Sequence, residues 1–419
     1  MAKNVPLSLL RVGMTLSSQL CDRDGRLLLG TGVEITLELL EKLQRRGIQQ
    51  VLIELDDWKR AVAFQSHGRL RDPAPGLRNL SCQETCRGTE SMDRVISGSL
   101  ETDLLPSEDP FNNLVRKHGA SPYESAQLNR VFAQHQRTVA DAANAIDRLQ
   151  EGQSVGQQSL ERIVQDSLVE AARDMDVFVS MGINPALVDS IAEHTTRVAN
   201  LAVAIGATLG LDAEALRELG AGCLLHDVGM LLIDQEIPAA RRRLESYELA
   251  EIARHPVLAS DLLDRNMPDA PIGVRMIVYQ MHERCNGTGY PRGWTGEKIH
   301  RLAKIASAAD AYIAMVSPRP YRHALMPYYA MKKMLEDVAE GAFDPSVVRA
   351  LLYTTSLFPL GSYCELTDGR LGKVVRSNGK DYDKPIVEAA PSNQPHIEPE
   401  LVNLVESNVR IAKTLSEFR

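Results

Sequence analysis

The sequence lacks long apolar runs and has few cysteines. No stretch approaches the roughly 18 consecutive apolar residues of a transmembrane helix, and the first residues lack the apolar core of a secretory signal. The six cysteines among 419 residues lie mostly far apart, which excludes a disulfide framework. Only Cys82 and Cys86 could share a metal, and no second pair at zinc-site spacing lies nearby. We therefore expect a cytoplasmic protein with reduced thiols and no membrane span.

The sequence also lacks an excess of positive charge. Lys and Arg number 47 against 55 Asp and Glu, so the formal net charge is −8. This balance argues against a protein that coats a nucleic acid polymer or an anionic membrane. Hydrophobic residues make up 44% and charged residues 24%, which is typical of a folded globular protein and excludes disorder over the whole chain.

Residue patterning divides the chain into four parts. Apolar runs around the turn dipeptide Asp24-Gly25 predict a hairpin, and stretches rich in proline and polar residues follow it. A long region then has apolar residues at helical spacing. Around Asp368-Gly369 the apolar residues alternate with polar ones, as in β-strands. The predicted domains are an N-terminal α/β module over 1–60, a partly disordered linker over 61–125, a helical domain over 126–355 and a β-rich appendage over 356–419. The predicted fold class is therefore mainly α, with small parts containing β-strands at both ends.

Ionisable side chains stand on the apolar faces of several consecutive predicted helices. In the helix near 186–209, His194 falls in line with Val198 and Leu201, where a leucine would be expected. The same pattern recurs in the helices that follow. The complete set is His194, His226, Asp227, His255, His282 and Asp310.

These six inward-facing groups predict a metal site. A single histidine on an apolar face is more often a hydrogen-bonded core residue, but six buried ionisable groups need a compensating charge that divalent cations supply. His226 and Asp227 form the predicted catalytic centre, because an adjacent pair at a helix end lets the carboxylate bridge two metals while the imidazole binds one. Two metals that share a hydroxide suit in-line attack on phosphorus.

Two loops near this set could contact a ligand. Gly287 and Gly289 permit a tight turn and a close approach of backbone to ligand, and Tyr290 offers a planar face and a hydroxyl. Arg319 and Arg322 follow the helix of Asp310 on a proline-stiffened loop and suit phosphate oxygens. The alternatives are an ordinary glycine turn and a solvated basic loop.

At these residues the chain resembles the HD-GYP family of HD metal-dependent phosphohydrolases. The resemblance covers roughly residues 185–350, with an HD-type helical core. Its segments are EHTTRVANLA around His194, LLHDVG at 224–229, His255-Pro256, HERCNGTGYPRG at 282–293 and DAYIAMVSPRPYR at 310–322. It implies hydrolysis of the bacterial second messenger cyclic di-GMP to pGpG or GMP by a metal-bound hydroxide. It also implies a bi- or trinuclear site, commonly of iron or manganese.

The resemblance also implies roles for individual residues. The metal ligands would be His194, His226, Asp227, His255, His282 and Asp310, and Asp227 would bridge two divalent ions. Tyr290, Arg319 and Arg322 match positions that face the dinucleotide, next to Gly289. Iron or manganese is expected, although sites made of histidine and aspartate also accept zinc or nickel.

Several positions depart from the family pattern. Met230 stands where the family usually has a lysine near the scissile phosphate, and Met281 stands where it has the first of two histidines. Ile313 replaces a second aspartate, and Ser190 replaces a glutamate of trinuclear members. These departures predict that a third metal is absent, that the second metal has one ligand fewer, and that a cation near the phosphate is missing.

Three functions remain open on these grounds. The first is an active cyclic di-GMP phosphodiesterase. The second is a weakened or inactive member that acts as a cyclic dinucleotide sensor or a protein-interaction module. The third is an HD phosphohydrolase that acts on another cyclic dinucleotide or a nucleotide. A homodimer and signalling protein partners are further possibilities.

Overall fold

The computed structural model describes short stretches within residues 2–54 and 92–96, and longer segments beyond them. The longer segments are residues 100–118, 121, 125–183, 190–240, 242, 245–318, 324–391 and 399–415. The chain divides into two compact units. One comprises Met1–Ser91 and Ile233–Arg254, and the other comprises Met92–Leu232 and His255–Arg419.

The first unit contains a four-stranded antiparallel sheet. Its strands are β1 (Ala2–Pro6), β2 (Leu20–Cys21), β3 (Leu27–Leu29) and β4 (Gln50–Glu54), in the order β1-β4-β2-β3. β2 and β3 pair on either side of the predicted Asp24-Gly25 turn, which itself lies outside the described residues. A short helix of the same unit, Ser246–Ile252, has a capping box formed by Glu245 and Glu248.

The second unit is mainly helical, as the sequence predicts. Its helices are α1 (Ser125–Gln150), α2 (Gln157–Arg173), α3 (Met175–Ile183), α4 (Ile191–Thr208), α5 (Ala213–Leu225), α6 (His255–Asn266), α7 (Ile272–Gln280), α8 (Arg301–Val316), α9 (Pro327–Ala339) and α10 (Pro345–Thr355). Short 3₁₀ segments span Phe111–Leu114 and Val228–Leu232. Within the described residues, no helix combines the length and the apolarity that a membrane crossing requires.

The spacing of Ile252, His255, Ala259 and Leu262 predicts one helix over 246–265, but this stretch forms two helices. The first ends at Ile252, and a new helix begins at His255. Pro256 explains the interruption, because proline cannot donate a backbone hydrogen bond inside a helix but is accepted in the first turn. His255 consequently stands at the start of a helix rather than on the middle of its apolar face.

Helix α4 lies at the centre of the helical unit. It packs against α1, α3, α5, α8 and α10, and nearly all of its residues are buried. Small side chains let its neighbours come close. At Gly206, an added Cβ would lie 2.7 Å from a methyl of Leu216 on α5. Because nearly every residue of α4 is packed in the interior, this helix provides a fixed support for His194.

A five-stranded antiparallel sheet follows the helices. Its strands are β5 (Tyr363–Leu366), β6 (Arg370–Arg376), β7 (Ile386–Pro391), β8 (Glu400–Asn403) and β9 (Ile411–Leu415), in the order β8-β7-β6-β5-β9. Gly369 between β5 and β6 has φ +83°, which suits glycine at the predicted turn. The predicted fold class is confirmed by the helical unit and the two small sheets.

Part of the predicted linker lies against the helical unit. The Ser107 hydroxyl donates to Asp212 at 2.7 Å, the Arg116 amide donates to the Ala172 carbonyl at 2.8 Å, and Glu101 pairs with Arg301 at 2.8 Å. The predicted domain boundaries, and the disorder predicted within 61–125, stay predictions.

A buried ion pair joins the terminal sheet to the helices. Arg376 on β6 contacts both oxygens of Asp174 at 2.8 and 2.9 Å, and both side chains are almost fully buried. Burial by itself would raise the pKa of Asp174, but the hydrogen bond and charge of Arg376 lower it. The stabilisation is therefore present at neutral pH and is lost as the pH falls through this lowered pKa, below the ordinary value of 3.8.

We expect Arg376→Met to reduce the free energy of unfolding by about 3–5 kcal/mol, because it leaves Asp174 buried without its cation. Urea unfolding measures the change. Arg370→Met is the matched control, because Arg370 pairs with the more exposed Asp368 and Glu400. It should cost less than about 1 kcal/mol. Equal losses in the two variants would show that burial of the pair has no special effect.

Candidate metal centre

Five chain segments bring the six predicted ligands together. His194 lies in the first turn of α4, which Ser190 caps by accepting the Glu193 amide at 3.1 Å. The other five ligands are at the end of α5 (His226 and Asp227), at the start of α6 (His255), after α7 (His282) and inside α8 (Asp310). Most of the set therefore lies at helix ends, where side chains from different helices can converge.

Asp227 lies among three imidazoles. Its Oδ1 is 3.3 Å from His226 Nε2 and 3.4 Å from His255 Nε2, and its Oδ2 is 3.7 Å from His194 Nε2. One carboxylate thus faces three nitrogen atoms that come from three helices. This is the arrangement expected of a carboxylate that shares cations with several histidines.

Asp310 faces the same space from α8. Its Oδ1 accepts a hydrogen bond at 3.2 Å from His194 Nε2 and lies 4.0 Å from His226 Nε2. Its Oδ2 lies 3.6 Å from His282 Nδ1. The two aspartates and four histidines therefore form one cluster, and the sequence prediction that they converge agrees with their positions.

The donor atoms fit bound cations. His226 Nδ1 lies 2.7 Å from the Cys223 carbonyl, which can only accept, so Nδ1 carries a proton and Nε2 is the nitrogen that can bind either a second proton or a metal ion. That buried Nε2 makes no well-formed hydrogen bond with a described residue, although Asp227 Oδ1 lies close, and His282 Nε2 makes none either. Buried nitrogen atoms without a hydrogen are suited to a metal ion.

Two overlapping groups could each hold an ion. His194, His226 and Asp310 offer ligand atoms within 4.8 Å of one another, and so do His226, Asp227 and His282. His255 belongs to neither group, although its contact with Asp227 places it beside both. The described residues therefore include two candidate metal-binding groups.

The carboxylates of Asp227 and Asp310 favour positive charge within the cluster, as the pKa shifts of its members show. Burial would lower the pKa of His226, but the charges of Asp227 and Asp310 raise it to about 9. Burial would raise the pKa of both carboxyls, but the surrounding histidines lower them. Burial, with a contribution from His255, lowers the pKa of His282 to about 3. Asp227 and Asp310 therefore favour positive charge at His226.

The glycine loop places Tyr290 over the cluster. Its ring stacks on His282 with centroids 4.9 Å apart and 12° between the planes, and its amide donates to the His282 carbonyl at 3.1 Å. An added Cβ at Gly289 would lie 2.4 Å from the Arg284 nitrogen and the His282 oxygen. The sequence predicts that the backbone at this glycine lies close to a ligand. In the structure it lies close to the backbone of the same loop, at His282 and Arg284.

Glu283 is a residue that the sequence reasoning passed over. Its buried carboxylate accepts the Arg292 amide at 2.8 Å and the Trp294 amide at 2.9 Å, so it holds the far side of the glycine loop. Burial raises its pKa to about 7, against the effect of these hydrogen bonds. The available signal was an acid next to a predicted ligand, immediately before a glycine-rich loop.

The residues that depart from the family pattern lie in different environments in the structure. Met281 and Ile313 are fully buried in the hydrophobic core, Met230 is half-buried, and Ser190 caps α4. Arg319 and Arg322 lie outside the described residues. Their proposed contact with phosphate stays a prediction.

Comparison with known proteins agrees with this geometry. The sequence profile of the HD domain matches residues 185–347. Over these residues the chain is similar to HD domains. The resemblance to HD phosphohydrolases that the sequence motifs predict is therefore confirmed over the segment that contains all six candidate ligands.

Several bacterial phosphodiesterases are similar to part of this chain. A cyclic di-GMP phosphodiesterase of Pseudomonas aeruginosa is 32% identical over 194 residues, 46% of this chain and 46% of the relative. The cyclic di-GMP phosphodiesterase PdeB of Borreliella burgdorferi is 27% identical over 54% of this chain and 59% of its own length. A 3′3′-cGAMP-specific phosphodiesterase of Vibrio cholerae is 30% identical over 40% of this chain and 36% of its own length. The chain thus spans about half the length of the first two relatives.

Proposed function

We propose that this protein is a metal-dependent phosphodiesterase that hydrolyses cyclic di-GMP to pGpG, GMP or both. The observation that carries the proposal is the convergence of Asp227 and Asp310 with four imidazoles inside the HD domain. The two relatives named cyclic di-GMP phosphodiesterases supply the substrate class.

We assign two divalent ions, iron or manganese, to the cluster. One would be held by His194, His226 and Asp310, and the other by Asp227 and His282 with His255 beside them; Asp227 would bridge. When bound, such ions withdraw charge from a phosphoryl oxygen and acidify water for attack on phosphorus. Zinc or nickel would fit the same donors.

Tyr290 supplies a group for binding and orientation. Burial and the charges of Asp310 and Asp227 raise the pKa of its hydroxyl, so it remains a proton donor at neutral pH. The ring presents a flat face beside the cluster, on which a guanine base could stack. Gly289 is needed because it lets the loop fold back and hold Tyr290 against His282. Arg319 and Arg322 would neutralise the phosphate charge.

The departures from the family pattern favour a second candidate, a member with weak or no turnover that binds cyclic dinucleotides as a sensor or interaction module. Met230 brings no positive charge to the phosphate, and Met281 is a poor ligand for hard cations and lies in the core. A third candidate is hydrolysis of cGAMP, the substrate named for a Vibrio cholerae relative.

Turnover by metal-loaded protein tests these candidates. The protein is purified without oxygen, loaded with Fe²⁺ or Mn²⁺, and given cyclic di-GMP, 3′3′-cGAMP or cyclic di-AMP, with products separated by chromatography. We expect cyclic di-GMP to give pGpG at the highest kcat/KM. Tight binding in calorimetry without any product would favour the sensor. Preference for cGAMP would favour the third candidate.

We also propose a cytoplasmic location, a homodimer, and signalling partners for the N-terminal module. These rest on the sequence alone. Sedimentation of the full chain, with and without cyclic di-GMP, tests the dimer.

A further inference from the structure

A second polar cluster lies beyond the metal centre, where residues 92–96 meet the helical unit. Asp93 accepts a hydrogen bond from the Tyr279 hydroxyl at 3.1 Å and pairs with Arg292 at 2.9 Å. Arg292 Nε in turn donates to the Tyr279 hydroxyl at 2.8 Å. The three side chains close a triangle in which the hydroxyl both donates and accepts.

An apolar cluster holds this triangle in place. Met92 and Ile96 are buried against Met276 and Tyr279 of α7, and Trp294 of the glycine loop packs on the same group. Tyr279 is completely buried. Because a buried hydroxyl must be hydrogen-bonded, Tyr279 fixes where Asp93 and Arg292 meet.

The triangle is connected to Tyr290 by a short stretch of chain. Arg292 follows Tyr290 by two residues, and its amide is held at 2.8 Å by Glu283, the neighbour of His282. The loop end is thus held at three points, by Glu283 through the backbone and by Asp93 and Tyr279 through the guanidinium. The two contacts of the guanidinium come from outside the segment 282–295, and the contact with Asp93 is the ionic one.

We propose that Asp93 is a positioning residue of the phosphodiesterase site, which acts through Arg292 to hold the loop that carries Tyr290. This inference rests on the proposed function. Residues that precede the predicted helical domain then help to position the substrate-binding loop. A change at Asp93 therefore alters the position of Tyr290 and its contact with a bound dinucleotide.

The test compares Asp93→Asn with Glu101→Gln in the metal-loaded full chain. Glu101 is the matched control because it also joins the upstream segment to the helical unit, through Arg301 at 2.8 Å, and belongs to neither the cluster nor the loop. We expect Asp93→Asn to raise KM for cyclic di-GMP by about tenfold with kcat within about twofold, because it loosens a binding group rather than the reacting centre. Glu101→Gln should leave both constants unchanged.

A second readout follows the loop directly. The chain has two tryptophans, so Trp58→Phe leaves Trp294 as the sole reporter. Acrylamide quenching of Trp294 should rise in Asp93→Asn and stay unchanged in Glu101→Gln. Adding Arg292→Gln to Asp93→Asn should raise KM by less than Arg292→Gln does alone, since both changes break the contact between Asp93 and Arg292.

The outcomes separate this inference from the proposed function. An active protein in which Asp93→Asn changes neither KM nor quenching overturns the inference alone. Equal changes in kcat and KM, accompanied by a lower unfolding midpoint, overturn it in favour of a purely structural role. Absence of turnover by the unsubstituted, metal-loaded protein overturns the proposed function, and with it the role of Asp93 in the site.

Discussion

Asp227→Ala is expected to lower the bound metal by at least one ion per chain and to reduce turnover of cyclic di-GMP by about a thousandfold or more. Its two oxygens face His226, His255 and His194 within 3.7 Å, so the substitution removes a group that lies next to three candidate ligands at once. Loss of an ion removes several kcal/mol of charge stabilisation in the transition state, and about 4 kcal/mol corresponds to a thousandfold in rate.

The measurement combines metal analysis of anaerobically purified protein with product formation from cyclic di-GMP. Asp166→Ala is the control, because Asp166 is exposed on α2 and should affect neither quantity. If Asp227→Ala retained the metal content of the unsubstituted protein, the six side chains would not be the metal centre. The proposed function would then lose its main support.

Gly229→Ala is expected to destabilise the helical unit by about 3 kcal/mol or more, at or above the upper end of ordinary overpacking. An added Cβ would lie 2.0 Å from the His255 carbonyl oxygen and 2.8 Å from the Ala259 nitrogen. Both atoms belong to the backbone of α6, which cannot move aside as a flexible side chain could. The methyl group therefore has to push apart the segment that carries Asp227 and the helix that carries His255.

Urea unfolding and metal titration together measure this effect. We expect a lower unfolding midpoint and weaker metal binding, because Asp227 and His255 would separate. Gly156→Ala serves as the control, since no described atom lies within 4 Å of its added Cβ and its φ is −70°. If both variants bound metal and unfolded alike, the contact between Gly229 and α6 would not hold the two ligands together.

Helical periodicity was enough to find most of the candidate site. His194 and Asp310 stand in line with apolar residues of α4 and α8, and both are buried as the pattern predicts. Such a pattern is readable because an amphipathic helix repeats every 3.6 residues wherever it lies in the fold. The same reasoning joined Ser246 to Arg265 in one helix, because the periodicity continues across the break at Pro256.

Glu283 shows why local patterns are insufficient. Its function depends on the backbone amides of Arg292 and Trp294. Those amides are available because the glycine loop turns back, and no periodicity in the sequence describes that path. An acid after a histidine can equally be a solvated residue at a helix end.

The sequence by itself determined the order of the helices, the six ionisable residues on or next to their apolar faces, and the glycine loop with Tyr290, because each of these follows from neighbours a few positions away. Only the tertiary structure decided that Asp227 and Asp310 share one space with four imidazoles, and that Asp93 meets Arg292, 199 positions further along the chain. These long-range contacts depend on how buried helices pack against one another. Packing is settled by the shape and volume of the whole core, which no local stretch of sequence contains.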